Sequence, residues 1–96
     1  MIRRIVKLTI MENSAEDFLK IIDMISKDIV AFPGCRSLQI LKAKGNKNIY
    51  FSISDWDDEI ALNRYRNSEF FRSHWQEQKK LFSDKPEAWS TIELNV

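Results

Sequence analysis

Apolar and polar residues alternate through Arg4–Met11. Val6, Leu8 and Ile10 fall on one side, and Ile5, Lys7, Thr9 and Met11 on the other. This spacing predicts a strand with both faces partly apolar. From Phe18 the period lengthens. Phe18, Ile21, Ile22, Ile25, Ile29 and Phe32 share one side of a helical wheel, with Lys20, Asp23 and Lys27 opposite. Asn13 or Ser14 is placed to cap this helix, and Asp17 gives it an acidic first turn that suits the positive end of the dipole. Pro33 stops it, because proline lacks the N–H that the ladder needs and biases Phe32 away from helical angles.

The alternation then returns. Ser37–Ala43 reads as a second strand, Lys44-Gly45-Asn46-Lys47-Asn48 as a hairpin loop, and Ile49–Trp56 as a third strand. On that third strand Ile49, Phe51 and Ile53 face one way, and Tyr50, Ser52, Ser54 and Trp56 the other. Asp57 or Asp55 is expected to cap a short helix over Asp58–Arg66. Asn67-Ser68-Glu69 breaks and recaps the chain, and a third helix is predicted over Glu69–Phe82. Trp89–Val96 alternates again and predicts a last strand. The order β-α-β-β-α-α-β is that of an α+β, ferredoxin-like split βαβ domain, with a four-stranded antiparallel sheet and helices on one face. With no repeat or linker in the sequence, residues 1–96 read as a single domain.

Composition narrows the function classes. Fifteen Lys+Arg against fourteen Asp+Glu leave a net charge of +1, which gives no footprint for a nucleic acid. No apolar run approaches the roughly 18 residues that a membrane span requires. A single cysteine, Cys35, cannot form an intramolecular disulfide, and no signal-peptide pattern is visible, so a reducing cytoplasm is the expected compartment. The eleven aromatics (six Phe, three Trp, two Tyr) are many for so small an interior. Strands with apolar residues on both faces leave one sheet face without helices to cover it. That predicts a homodimer packed sheet to sheet.

The third helix carries the polar anomaly. With Phe70 set at 0° on the wheel, His74 falls at about 40° and Gln78 at about 80°, between Leu81 and Phe71. The only histidine therefore sits inside an apolar arc with an amide one turn away. Either it is a core residue bonded to Gln78 or a carbonyl, or the pair lines a pocket where His74 can move a proton. Tyr50, Ser52, Ser54 and Trp56 form a companion row that either suits a flat, partly polar ligand or packs under a helix with its hydroxyls bonded locally. A lone histidine argues against a metal centre, since Asp55, Asp57 and Asp58 are better explained as helix caps. Arg64, Arg66 and Arg72 could reach an anionic ligand edge, although a solvated helix face accounts for each of them as well.

Several segments together carry a resemblance. They are the opening strand, Phe32-Pro33-Gly34-Cys35 after the long helix, Ser54-Asp55-Trp56 at a strand end, Tyr65-Arg66-Asn67-Ser68-Glu69-Phe70-Phe71, Trp75, and Phe82-Ser83-Asp84-Lys85-Pro86-Glu87-Ala88-Trp89-Ser90. From about Ile2 to Leu94 the chain resembles the antibiotic biosynthesis monooxygenase (ABM) family of dimeric α+β barrels. The resemblance implies an oxygenase or quinol oxidase that uses no cofactor and acts on a small aromatic, whose carbanion activates O2 itself. The strand Trp of the quinol-type members matches Trp56, but their Asn four residues earlier is Ser52 here. The Asn, Trp and His of the haem-degrading members are replaced by Val6, Tyr65 and Trp75, so the resemblance does not extend to haem cleavage. In this reading Trp56 and Tyr65 wall the pocket, His74 accepts a proton, and Gln78 and Ser52 position the substrate. The alternative is a non-catalytic small-molecule-binding or interaction module with the same fold.

Overall fold

The computed structural model describes residues 1–45 and 48–96. Four strands, β1 (Ile2–Thr9), β2 (Cys35–Lys42), β3 (Ile49–Trp56) and β4 (Glu87–Thr91), form one antiparallel sheet in the order β2-β3-β1-β4. Three helices, α1 (Ala15–Val30), α2 (Glu59–Arg66) and α3 (Glu69–Lys79), complete the split βαβ arrangement expected from the pattern.

Strand parity decides what meets the helices. Ile2, Arg4, Val6 and Leu8 of β1 share the inward face with Tyr50, Ser52, Ser54 and Trp56 of β3 and Leu38 and Ile40 of β2. The register confirms the rows, pairing Val6 with Ser52 and Arg4 with Ser54. On this face the core divides in two. Around Trp56 gather Ile29, Ala61, Leu62 and Tyr65, and around Tyr50 gather Leu8, Ile10 and Phe18. Phe18 and Trp56 are completely buried. Phe18 packs against the Tyr50 ring with centroids 4.9 Å apart.

Local chemistry shifts several element ends from the sequence expectation. β1 starts at Ile2 and stops at Thr9. Ile10 instead bridges to Phe82, and a short 3-10 turn at Glu12–Ser14 leads into α1. Ser14 occupies the N-cap position of α1 without a side-chain cap bond. α1 ends at Val30, ahead of Pro33 as expected. The cap of α2 is neither Asp55 nor Asp57. Asp58 accepts from the Ala61 N–H at 2.8 Å, while Asp57 pairs with Arg36 and Asp55 with Arg3. Ser68 caps α3 by accepting from the Phe71 N–H, and its hydroxyl donates to the Tyr65 carbonyl at 2.6 Å. α3 closes at Lys79 rather than Phe82, because Leu81 and Phe82 are drawn to the end of β1. β4 stops at Thr91, whose partner Arg3 is almost the last of β1, so no strand remains for Ile92, Leu94 and Val96 and all three are exposed. Within the predicted hairpin loop, Asn46 and Lys47 lie outside the described residues.

One glycine is dictated by this packing. Gly34 has φ +89°, a left-handed value that residues with a Cβ rarely adopt. Its carbonyl accepts from the Asp57 N–H at 2.8 Å, and a Cβ here would overlap the Cβ of Ala61. Gly34→Ala is therefore expected to lower stability by roughly 2 kcal/mol or more. A urea midpoint equal to that of the wild type would show that the turn relaxes freely.

Candidate active site

Between the two core clusters the inward row of β3 carries only serines. Tyr50 and Trp56 fill the ends of the row, and Ser52 and Ser54 leave the middle open. The result is a cavity of about 500 Å³ between sheet and helices, within the range typical of small-molecule sites. Val6, Leu8, Leu38 and Ile40 contribute apolar floor beside the serines, and Ile22 and Ile29 of α1 close one side. Tyr65, Phe71, His74, Trp75 and Gln78 from α2 and α3 form the opposite wall. Asn63, Arg66, Asn67 and Ala88 are the exposed lining residues, and so mark the mouth.

Tyr65 organises that wall. Its ring stacks on Trp56 at 4.8 Å and meets Phe32 and Phe71 edge-on at 5.3 and 5.1 Å. Its Oη lies 2.8 Å from His74 Nε2, and Gln78 Nε2 lies 3.0 Å from His74 Nδ1. The three side chains thus form one hydrogen-bonded line from α2 to α3. With the Gln78 amide N–H donating to Nδ1, the ring proton sits on Nε2 and is donated to Tyr65, which leaves the phenolic hydrogen free for the cavity. Turning the Gln78 amide over reverses the line. Nδ1–H then donates to Gln78 Oε1, and the Tyr65 hydroxyl donates to Nε2. Burial shapes the charge state of both ends. It lowers the His74 pKa to about 4 and raises that of Tyr65 well above the ordinary phenol value, so both are neutral at pH 7.

Ser52, Tyr65, His74 and Gln78 are thus brought together on one cavity, as the sequence reading grouped them. Trp56 is the exception. It does not line the cavity; its indole is fully buried behind Tyr65 and donates from Nε1 to Ser54 Oγ at 2.9 Å. Its contribution is to hold Tyr65 and Ser54 in place. Among the arginines, Arg66 reaches the lining, and Arg64 and Arg72 do not. Arg4 lines the cavity and was not anticipated, although its parity with Val6 and Leu8 on β1 already placed a cation on the inward row. Cys35 packs against the Trp56 cluster, and Asp55 is held on the outer sheet face by Arg3 and Ser37. Among the described residues, no three His, Cys, Asp or Glu side chains are grouped so as to hold a metal ion.

These features define a class, a ferredoxin-like α+β domain with a ligand-sized cavity between its sheet and its helices. The sequence pattern of the antibiotic biosynthesis monooxygenase family matches residues 1–77, and the chain belongs to that family. No curated protein matches the chain in sequence. Solved structures with the same fold include a conserved protein from Methanosarcina mazei Go1 (16% identity, 97% of this chain and 92% of that one, TM-score 0.92). An antibiotic biosynthesis monooxygenase is similar over 99% of this chain and 100% of its own, at 14% identity and TM-score 0.92. Rv0793 from Mycobacterium tuberculosis is similar over 99% and 96%, at 15% identity and TM-score 0.88. At such identities the likeness is one of fold.

The depressed His74 pKa has a thermodynamic consequence. Below its ordinary value of 6.5 the unfolded chain binds a proton that the native state refuses, down to about pH 4. The neutral ring's advantage is complete above about pH 6.5 and is lost as the pH falls toward 4, at a cost of about 2–3 kcal/mol. His74→Phe should flatten this part of the profile, because the chain has no other histidine. Urea midpoints measured at pH 7 and pH 4.5 check it; an equal drop in both proteins would contradict the assignment.

Proposed function

We propose that the chain is a monooxygenase or quinol oxidase of small, quinol-like aromatic substrates. The observation that carries this reading is the Tyr65–His74–Gln78 line facing a largely apolar cavity in an ABM-family domain. An aromatic ring lies among Val6, Leu8, Ile40 and Phe71, with a hydroxyl directed at Tyr65 Oη. The substrate O–H passes its proton to Tyr65 as Tyr65 passes its own to His74 Nε2, with Gln78 Oε1 holding the Nδ1–H of the resulting imidazolium. The substrate anion is then rich enough in electrons to reduce O2 directly. A quinol yields quinone and hydrogen peroxide, and an activated ring methylene yields a carbonyl and water. The cavity walls exclude water from the anion, and Ser52, whose hydroxyl has no partner among the described residues, is free to hydrogen-bond the substrate.

Oxygen uptake with a panel of hydroquinones tests the reading. Tyr65→Phe and His74→Phe are each expected to lower kcat by roughly 10²-fold or more while the quinol still binds. Wild-type turnover that neither substitution changes would overturn the proton path. One observation favours the non-catalytic alternative, namely Ser52 at the position where the resemblance calls for an asparagine. That alternative predicts retained quinol binding with no oxygen uptake by the wild type.

The same reading includes a two-fold dimer through the outer sheet face. Ile5, Phe51, Ile53, Leu41 and Trp89 share that face by register, and Leu41 and Trp89 remain nearly half exposed. An apolar patch of this kind is a poor solvent boundary. Light scattering is expected to give twice the 11.4 kDa chain mass, and Phe51→Asp to halve it. A wild-type mass near 11.4 kDa at micromolar concentration would exclude the dimer.

A further inference from the structure

The charge on the cavity is one-sided. Arg4 on the floor and Arg66 at the mouth both line it, and no Asp or Glu does. Arg4 is half-buried on the inward row of β1, directly across from Ser54 and Ser90, and its Nη1 donates to Ser90 Oγ at 3.0 Å. Among the described residues, neither guanidinium has a carboxylate partner, although Arg3 and Arg36 on other parts of the surface each have one. The two cations are also close enough to act on one another. Arg4 is held below the ordinary arginine value first by burial and then by the charge of Arg66. Partly burying a cation beside a second one, with no anion to offset them, is unfavourable unless a ligand supplies the anion.

We propose that Arg4 and Arg66 form an anion subsite that selects aromatic substrates bearing a carboxylate, with the carboxylate at the mouth and the ring directed inward. This rests on the cavity being the substrate site proposed above, and it adds the substrate's charge class. A guanidinium offers two parallel N–H donors that match a planar carboxylate, and Arg4 is already steadied by Ser90. The exposed amides of Asn63 and Asn67 lie on the same rim and can complete the anion's hydrogen bonds.

Binding of redox-inert probes tests this separately from turnover. Titrations of the full chain with 2-naphthoate, 2-naphthamide and 2-naphthyl phosphate compare a carboxylate, its neutral isostere and a phosphate on one ring. The wild type is expected to bind the naphthoate about tenfold tighter than the amide, with the difference shrinking as salt is added. Arg66→Gln and Arg4→Gln should each weaken the naphthoate by about tenfold and leave the amide unchanged. Arg66 is exposed, so its variant keeps the fold even where the Arg4 variant does not. Equal affinity for acid and amide in the wild type would overturn the subsite, as would variants that weaken both probes alike. Tighter binding of the phosphate than of the carboxylate would overturn the carboxylate assignment. Should hydroquinones give no oxygen uptake while the acid–amide difference persists, the proposed reaction fails and the anion subsite stands.

Discussion

Everything distinctive about this domain follows from two small side chains in the middle of its sheet. An inward-facing row on a central strand normally fills the space under the helices with large apolar groups. Here Tyr50 and Trp56 do so at either end, and Ser52 and Ser54 between them cannot. The core therefore condenses as two clusters, one around Phe18 and Tyr50 and the other around Trp56 and Leu62. The gap between them persists because each cluster is closed at its own end, by the start of α1 with Leu81 and Phe82 on one side and by the end of α1 with α2 on the other. Hydroxyls also make the gap polar enough for a ligand, while the surrounding Val6, Leu8 and Ile40 keep it mostly apolar.

The wall opposite the serines is governed by Tyr65. Trp56 behind it, Phe32 and Phe71 at its edges and His74 at its hydroxyl leave the phenol one position to occupy. The same crowding removes water from His74, which keeps the imidazole neutral and ready to accept a proton. A base of low pKa is weak in isolation. Its basicity rises when a substrate anion forms beside it, because the new negative charge favours the imidazolium. Burial and proton transfer are thus linked through one contact. The division of the second helix into α2 and α3 serves that contact, since Ser68 caps α3 while donating to the carbonyl of Tyr65.

Much of this is legible in the residues, and the departures from the pattern have local causes. Period-2 and period-3.6 patterns located the four strands and three α-helices, because burial on one face leaves its mark whatever the partner, and the 3-10 turn at Glu12–Ser14 has no such period. Ends were harder. Leu81 and Phe82 continue the apolar arc of α3 on a wheel, yet they leave the helix to meet the end of β1. The alternation of Ile92, Leu94 and Val96 looks like a strand, but beyond Arg3, the partner of Thr91, β1 has only Ile2 left. Asp55, Asp57 and Asp58 are equivalent as sequence, and only geometry assigns the cap to Asp58. Within the site, His74 and Gln78 were visible as polar groups inside an apolar arc. Trp56 was expected to wall the pocket and instead supports Tyr65 from behind, a difference of depth that parity cannot show.

The sequence by itself determined the element order, the two faces of each strand, the helix stop at Pro33 and the pairing of His74 with Gln78 one turn apart. These are consequences of short-range sterics and of periodicity, which act within a few residues. The tertiary structure alone decided that Ser52 and Ser54 open a cavity, that Tyr65 reaches His74 across two helices, and that Arg4 joins Arg66 on the lining. Those juxtapositions unite positions up to 62 residues apart in the chain, Arg4 and Arg66 being the most distant. They depend on strand register and on how far each neighbouring side chain reaches, which no local pattern encodes.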